Sequence, residues 1–494
     1  MPIFRKYSLT KTLVAMLAVF LFIRIVFMIY MPLFDPSEGR YANISANMEI
    51  YHNYLEPQFI HHGVLQNFEG KPPLMFQLGG LACKVFGINS FAVRFPSLLA
   101  AIGILIFMYS VVKHYKNEET AVLAVLLTFF STFFYVTSGL SLTDMLLTFT
   151  ITGALFAYIE FLNATSSKIK RKYWSCIFCI MLALGMMTKG PIAIVLPGIP
   201  IFIYTIWNKK WKDLKFHAWI IGPLLFFAIC VPWFWMMQNK NPDFLNYFFI
   251  NENFKRFLFS HYGDRYGSGH EFFYGMSVLW FIVVNLPGVL LLPLLKSKFK
   301  RWKTHRFWRD PLIFFSGGST ILIILFWGLT PRVPIAYLLP TVPLTSIFIA
   351  SQFGSTRLLF RFHFWEIAWK NTAIFGFATT LLMALFLVLS MHTSSQTTKL
   401  LLVKTEKLNN GSQQLYFACR TPYSAHFYAR DKIVLHPKEE INQSLKESSN
   451  DLLIISEHNY KKLTKKIDRN CILRLNKWFV FAPKCLQNAS IEKI

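Results

Sequence analysis

The chain has 494 residues, 54% of them hydrophobic and only 15% charged, with a mean hydropathy of +0.40. Soluble domains carry about a quarter charged residues, and here the apolar residues come in runs of about 20, the span of a bilayer core; a soluble globular protein is excluded. The net charge of +26 does not point to nucleic acid, because much of the excess lies in short loops between apolar runs, where membrane orientation and anionic headgroups account for it.

About eleven spans are predicted, over 12–34, 91–113, 119–138, 142–163, 173–188, 190–207, 215–237, 272–295, 311–329, 333–352 and 371–391. The first is too long, and is followed by too many others, to be a cleaved signal. With the N-terminus inside, the connections 113–119, 164–172, 208–215, 296–310 and 353–370 become cytoplasmic, and all are basic. The first loop, 35–90, the loop 238–271 and the tail after 391 then lie outside.

The first outer loop opens with Asp35-Pro36-Ser37-Glu38-Gly39-Arg40-Tyr41, two carboxylates and a guanidinium at a membrane exit. Tyr41, Ile44, Met48 and Tyr51 recur at helical spacing, with Arg40, Asn43, Asn47 and Glu49 opposite them. A second such segment starts at Pro72-Pro73 and carries Leu74, Leu78, Leu81 and Val85, proline suiting a first turn. Both are expected as amphipathic helices in the interface plane. Lys71 would stand before the second, where an ammonium and a helix N-terminus together suit a phosphate; a lysine snorkelling to headgroups is the alternative. His52, His61 and His62 share this loop with Glu56 and Glu69, but no spacing among them matches a metal-ligand motif, and no metal is expected.

Further along, Thr143-Asp144 opens the fourth span at its outer end. An acid there is a functional candidate, and either residue can also cap the helix. Thr188-Lys189-Gly190-Pro191 and Thr330-Pro331-Arg332-Val333-Pro334, with Tyr337 after it, put lone basic residues at outer tips, against the positive-inside trend. The loop 238–271 adds Glu252, Lys255, Arg256 and His270. If Arg40, Lys71, Lys189, Arg256 and Arg332 converge, they form a basic cavity at the outer face, suited to a lipid phosphate.

The tail, about 100 residues, is long enough for a small domain. A polar linker, Thr393 to Ser412, leads to strand-like runs at Gln414–Ala418, Asp451–Ser456, Cys471–Leu475 and Trp478–Ala482, with a helical pattern near Lys438–Glu447; this predicts an α/β domain over 392–494, following a transmembrane domain over 1–391. Cys176 and Cys179 sit inside an apolar run, where packing is the reading. Cys419, Cys471 and Cys485 belong to the outer domain, and the sequence does not choose a disulfide pair among them.

Phe34-Asp35-Pro36-Ser37-Glu38-Gly39-Arg40-Tyr41-Ala42-Asn43-Ile44 resembles the first-loop motif of the bacterial aminoarabinose transferases, which move sugar from undecaprenyl phosphate to lipid A, and of their protein O-mannosyltransferase relatives. Gly70-Lys71-Pro72-Pro73 is similar to the family's Lys-Pro motif, the segment Phe86 to Ser97 to the entry of its second span, and Leu142-Thr143-Asp144 to its second acidic motif. Leu184 to Pro191 and Tyr337-Leu338-Leu339-Pro340 fit as well, so the resemblance covers roughly residues 30 to 345. It implies the GT-C fold with about 11–13 transmembrane helices, amphipathic first-loop helices and a small C-terminal α/β domain outside.

The resemblance further implies a glycosyltransferase of the bacterial inner membrane with its site on the periplasmic side. Its partners would be membrane lipids, a polyprenyl-phosphate sugar donor, and lipid A or another envelope acceptor. The first-loop acids Asp35 and Glu38, with Asp144, would be catalytic. Lys71, Arg40, Arg256, Arg332 and Tyr337 would bind the donor phosphate, with Lys189 and His270 as further candidates. Ser37 stands where the family usually has aspartate, which leaves the role open between Asp35 and Glu38, and Gly70 separates Glu69 from Lys71. A phosphate acceptor, already ionised, would tolerate loss of a base better than a hydroxyl would. Nothing in the sequence demands a cofactor. A protein O-glycosyltransferase, a lipid flippase and a non-catalytic lipid binder are the rival readings.

Overall fold

The computed structural model describes residues 4–61, 64–259, 265–266, 271–298, 302–353, 394–408, 415–418, 421–429, 433–436, 452–461, 470–475 and 478–482. The expected span 371–391 and the helical pattern at Lys438–Glu447 lie outside them, as do His270, Cys419 and Cys485. The chain divides into two compact units: 1–26 with 69–75 and 94–381, and 27–68 with 76–93 and 382–494.

The first unit is helical. Its elements follow the apolar runs: α4 (Ser90–Tyr115), α5 (Glu118–Phe129), α6 (Thr132–Thr137), α7 (Thr143–Asn163), α8 (Lys168–Lys189), α9 (Ile192–Trp207) and α10 (Ile221–Lys240). Helices at Met276–Val284, Pro311–Gly328 and Ile335–Phe353 follow. Among the described residues five helices are long and apolar enough to cross a membrane, and a bent pair makes six; the chain is a multi-pass membrane protein. Two expected spans are not straight. The run 119–138 breaks between α5 and α6, where the Ser131 hydroxyl donates to the Val284 carbonyl at 2.7 Å. The run 272–295 bends by 103° between Met276–Val284 and Gly288–Leu295, at Pro287, which cannot continue an α-helix.

The break in the third span explains a charge inside the first. Arg24, on α1 (Phe4–Tyr30), is 1% exposed and donates to the Val136 carbonyl in the last turn of α6 at 2.5 Å. A helix C-terminus offers carbonyls without intrahelical partners and the negative end of a dipole, and both favour a buried guanidinium. On α8, Cys179 meets Gly222 of α10 across a close helix contact, in keeping with the packing reading of that cysteine pair.

The second unit holds α2 (Ser37–Ile50), the antiparallel hairpin β1 (Gln58–His61) and β2 (Val64–Asn67), most of α3 (Leu74–Phe86), and the C-terminal region. α3 leaves the apolar Leu81 and Val85 exposed, as a helix in the interface plane would. α2 does not: it is buried continuously from Glu38 to Met48, polar face included. That face reads the hairpin, with Asn43 Oδ1 accepting from the Ile60 N–H and Asn47 Nδ2 donating to the Gln58 carbonyl, both at 3.1 Å. Gly79 lets α3 approach Ser45 of α2 more closely than a Cβ would allow.

The C-terminal region is a five-stranded sheet in the order β4-β3-β5-β7-β6. β3 (Leu415–Ala418) pairs in parallel with β4 (Ile433–His436) and β5 (Leu452–Ser456), and β7 (Trp478–Ala482) pairs antiparallel with β5 and with β6 (Asn470–Leu475). The four expected strands are present, and β4 is an addition. The expected linker is instead largely a helix, Ser394–Leu408. Its Leu401 and Leu402 are buried in the core with Phe417, Ile454 and Val480, and this burial outweighs its polar composition.

Candidate functional site

In the first unit the outer-tip basic residues come together. A cavity of about 310 Å³ is lined by Lys71, Lys189, Arg256 and Arg332, with Glu252 and Tyr337. Its remaining wall is largely apolar, including Ile192, Val195, Phe257, Phe326 and Trp327. Cations on one side and hydrocarbon on the other suit an amphiphile with an anionic head.

Each cation has a structural reason for its place. Lys71 precedes Pro72-Pro73, which stops the chain from winding into helix before Leu74. Its ammonium donates to the Gly70 carbonyl at 2.7 Å and to Glu252 Oε1 at 2.5 Å, so it engages Glu252 in addition to standing before α3. Glu252 lies on Asn246–Lys255, wound as a π-helix, an uncommon winding frequent at functional sites. Arg256 follows that segment and donates to the same Glu252 oxygen at 2.6 Å. One buried carboxylate oxygen therefore bridges two cations.

Lys189 ends α8 because Gly190 adopts φ +87° and Pro191 follows. Its ammonium lies 2.5 Å from Asp144 Oδ1 and 4.1 Å from the centre of the Tyr337 ring, which packs against Trp327 at 4.5 Å. Asp144 makes no capping bond at the start of α7; its carboxylate serves Lys189. Arg332 donates to Glu271 Oε1 at 2.7 Å, and the two residues also form a β-bridge. Glu271, next to His270, gave no signal in the sequence beyond its charge. Behind Lys71, buried Glu69 accepts from Arg265 at 2.6 Å and from the Asn241 amide, while its backbone N–H donates to the Tyr266 hydroxyl.

Asp35, Glu38 and Arg40 belong to the second unit. Asp35 accepts both the backbone N–H of Ser424, at 3.0 Å, and the Ser424 hydroxyl. Burial raises its pKa above the usual carboxylate range, an effect the Ser424 hydrogen bonds partly offset. Glu38 accepts the Phe34 N–H at 2.8 Å, closing the turn that carries Asp35. Arg40 is buried among aromatic rings, 5.2 Å from the centre of Phe68 and 5.6 Å from that of Tyr423. Ser424 and Tyr423 start the short helix Tyr423–Ala429, whose Tyr428 hydroxyl accepts the Leu33 N–H at 2.9 Å. Sequence reasoning missed these partners, which lie almost 400 residues from the first loop and have no motif of their own.

Comparison with known proteins agrees with this architecture. The family model described as dolichyl-phosphate-mannose-protein mannosyltransferase matches residues 9–248. The undecaprenyl phosphate-alpha-4-amino-4-deoxy-L-arabinose arabinosyl transferase of Shewanella sediminis is 25% identical over 321 residues, 64% of this chain and 55% of that one. A second such transferase, from Pseudomonas fluorescens, is 28% identical over 314 residues, 62% of this chain and 53% of that one. The chain thus spans about half the length of these curated relatives. The crystal structure of ArnT from Cupriavidus metallidurans bound to undecaprenyl phosphate superposes with a TM-score of 0.80 at 18% identity, covering 97% of this chain and 100% of that one. An oligosaccharyltransferase from Archaeoglobus fulgidus gives 0.52 at 13% identity, over 88% and 65%.

The fold is that of the GT-C membrane proteins. Within it, the chain is similar in sequence to the aminoarabinose transferases named above and, over residues 9–248, to the protein mannosyltransferases.

Proposed function

We propose that the protein is a glycosyltransferase that moves a sugar from a polyprenyl-phosphate donor to lipid A or another phosphate-bearing envelope glycolipid. The observation that carries this reading is the convergence of Lys71, Lys189, Arg256 and Arg332 on one cavity with an apolar wall. The donor phosphate sits between Lys71 and Arg256, and its prenyl chain follows the apolar side. Arg332, Tyr337 and Lys189 shape the region that receives the sugar.

In the transfer, the bond between the sugar's anomeric carbon and the phosphate oxygen breaks, and the phosphate leaves with the electron pair. The acceptor oxygen forms the new bond from the opposite face, with inversion. Lys71 and Arg256 stabilise the charge developing on the leaving phosphate. An acceptor phosphate arrives ionised and needs no base; a hydroxyl would give its proton to a carboxylate. In the transmembrane unit Glu252 lines the cavity but is held by Lys71 and Arg256, and we assign that proton to Asp144, which adjoins the cavity through Lys189. We assign Glu38 to shaping the first-loop turn and Asp35 to anchoring that loop to the C-terminal region, with Arg40 packed beside them. The positive-inside loops and the family favour the bacterial inner membrane, with the site and the 392–494 domain on the periplasmic side.

The test supplies the purified full chain, in lipid, with undecaprenyl-phosphate-linked 4-amino-4-deoxy-arabinose and with lipid A or a Ser/Thr-rich peptide as acceptor. Glycosylated lipid A, lost in Lys71→Ala, is the expected product. Label on the peptide alone would move the protein to the O-glycosyltransferase reading. Transfer to neither acceptor, with the donor intact, would refute the assignment.

A further inference from the structure

The phosphate site contains its own counter-anion. Glu252 Oε1 lies 2.5 Å from Lys71 Nζ and 2.6 Å from Arg256 Nη1, and the Glu252 side chain is only 4% exposed. The other lining cations also have acids: Asp144 for Lys189 and Glu271 for Arg332. Among the described residues, these four cations meet three carboxylates, so most of the positive charge about the cavity is already matched. Two neighbouring groups leave that balance unchanged: Glu69 and Arg265 pair with each other, and Lys255 is exposed and does not line the cavity.

That balance has a chemical consequence. A sugar phosphodiester carries one negative charge throughout the physiological range. The phosphomonoester left after transfer gains a second charge above its second pKa, about 6. Bound beside Glu252, the diester sets one negative charge against that carboxylate across the two cations, and the dianion sets two. The carboxylate compensates the two cations in the empty site, and it opposes a bound dianion more than a bound monoanion.

We propose that Glu252 tunes this cavity to phosphodiester monoanions and against phosphomonoester dianions, so that the donor is held and the spent polyprenyl phosphate is expelled. Glu252 is thus a specificity-determining and positioning residue, and its carboxylate takes the cations back as product leaves. The inference rests on the phosphate reading of the cavity given above.

The experiment measures binding of a farnesyl-length monophosphate and of its methyl phosphodiester to the full-length protein in detergent, at about pH 5 and about pH 8, on either side of the phosphate's second ionisation. In the wild type the diester should bind equally at both, and the monoester should weaken about fivefold or more on going to the higher pH. Glu252→Gln should tighten the monoester about tenfold at the higher pH, and in turnover should lower kcat and donor KM together as product release slows. A wild-type monoester that binds more tightly at the higher pH overturns the proposal, and this reading needs no variant. So does a Glu252→Gln protein that weakens both ligands equally, the result of a purely structural role. If neither ligand binds the wild type, or Lys71→Ala changes nothing, the phosphate reading itself fails and this inference with it.

Discussion

Replacing Asp35 separates an anchoring role from a catalytic one. Its carboxylate takes two hydrogens from Ser424, which is 0% exposed. Asp35→Ala leaves the Ser424 N–H without its acceptor, at about 1–3 kcal/mol, and removes a second hydrogen bond worth about 0.5–1.5 kcal/mol, so the expected loss is about 2–4 kcal/mol. Asp35→Asn keeps an oxygen for the N–H and removes a half-buried charge, and it should stay within about 1 kcal/mol of wild type. The pH dependence has a definite sign. Burial raises the Asp35 pKa above its ordinary 3.8, so the folded state binds the proton more tightly than the unfolded chain does. The resulting stabilisation is complete below the ordinary value and is lost as pH rises through the raised one. Wild-type stability should carry this fall, and Asp35→Asn should not. Tryptophan-monitored thermal unfolding of both variants across the acidic range checks it, with glycolipid formation measured alongside. A hundredfold or greater loss of turnover in Asp35→Asn at unchanged stability (about 2.7 kcal/mol of barrier) would refute the anchoring argument and return Asp35 to the chemistry.

The buried pair of Asp144 and Lys189, with side chains 11% and 8% exposed, should lose about 3–5 kcal/mol of stability when either member alone is made apolar. The double replacement Asp144→Leu with Lys189→Met should cost less than either single change, and a strictly additive double-mutant cycle would contradict the coupling. Gly190→Ala forces a Cβ onto the Phe248 ring at φ +87° and should lower stability by about 1–3 kcal/mol while moving Lys189; an unchanged unfolding midpoint would show that this turn tolerates a side chain.

The membrane class, nearly all the helical runs, the first-loop helices and four of the C-terminal strands are legible along the chain, because bilayer thickness, helical period and strand alternation are local quantities. The same holds for the basic outer tips: Lys189 and Arg332 stood out because they break the positive-inside trend. Local pattern could not show that α2 is buried on its polar face, because the partners of Asn43 and Asn47 are backbone groups of a hairpin. Nor could it show the helix Ser394–Leu408, whose composition reads as linker until Leu401 and Leu402 find a sheet to cover.

The site divides along the same line. Residue types and topological side were enough to nominate Lys71, Asp144, Lys189, Arg256 and Arg332. Apart from the i,i+4 pair of Glu252 and Arg256, which acid answers which cation is a matter of distances across 45 to 181 residues of chain, and no local pattern encodes it. The first-loop motif shows the difference most sharply. Its residues Asp35, Glu38 and Arg40 could be picked out from sequence alone, but the tertiary fold brought Ser424 and Tyr423 to them, because a carboxylate's role depends on what its oxygens meet in space.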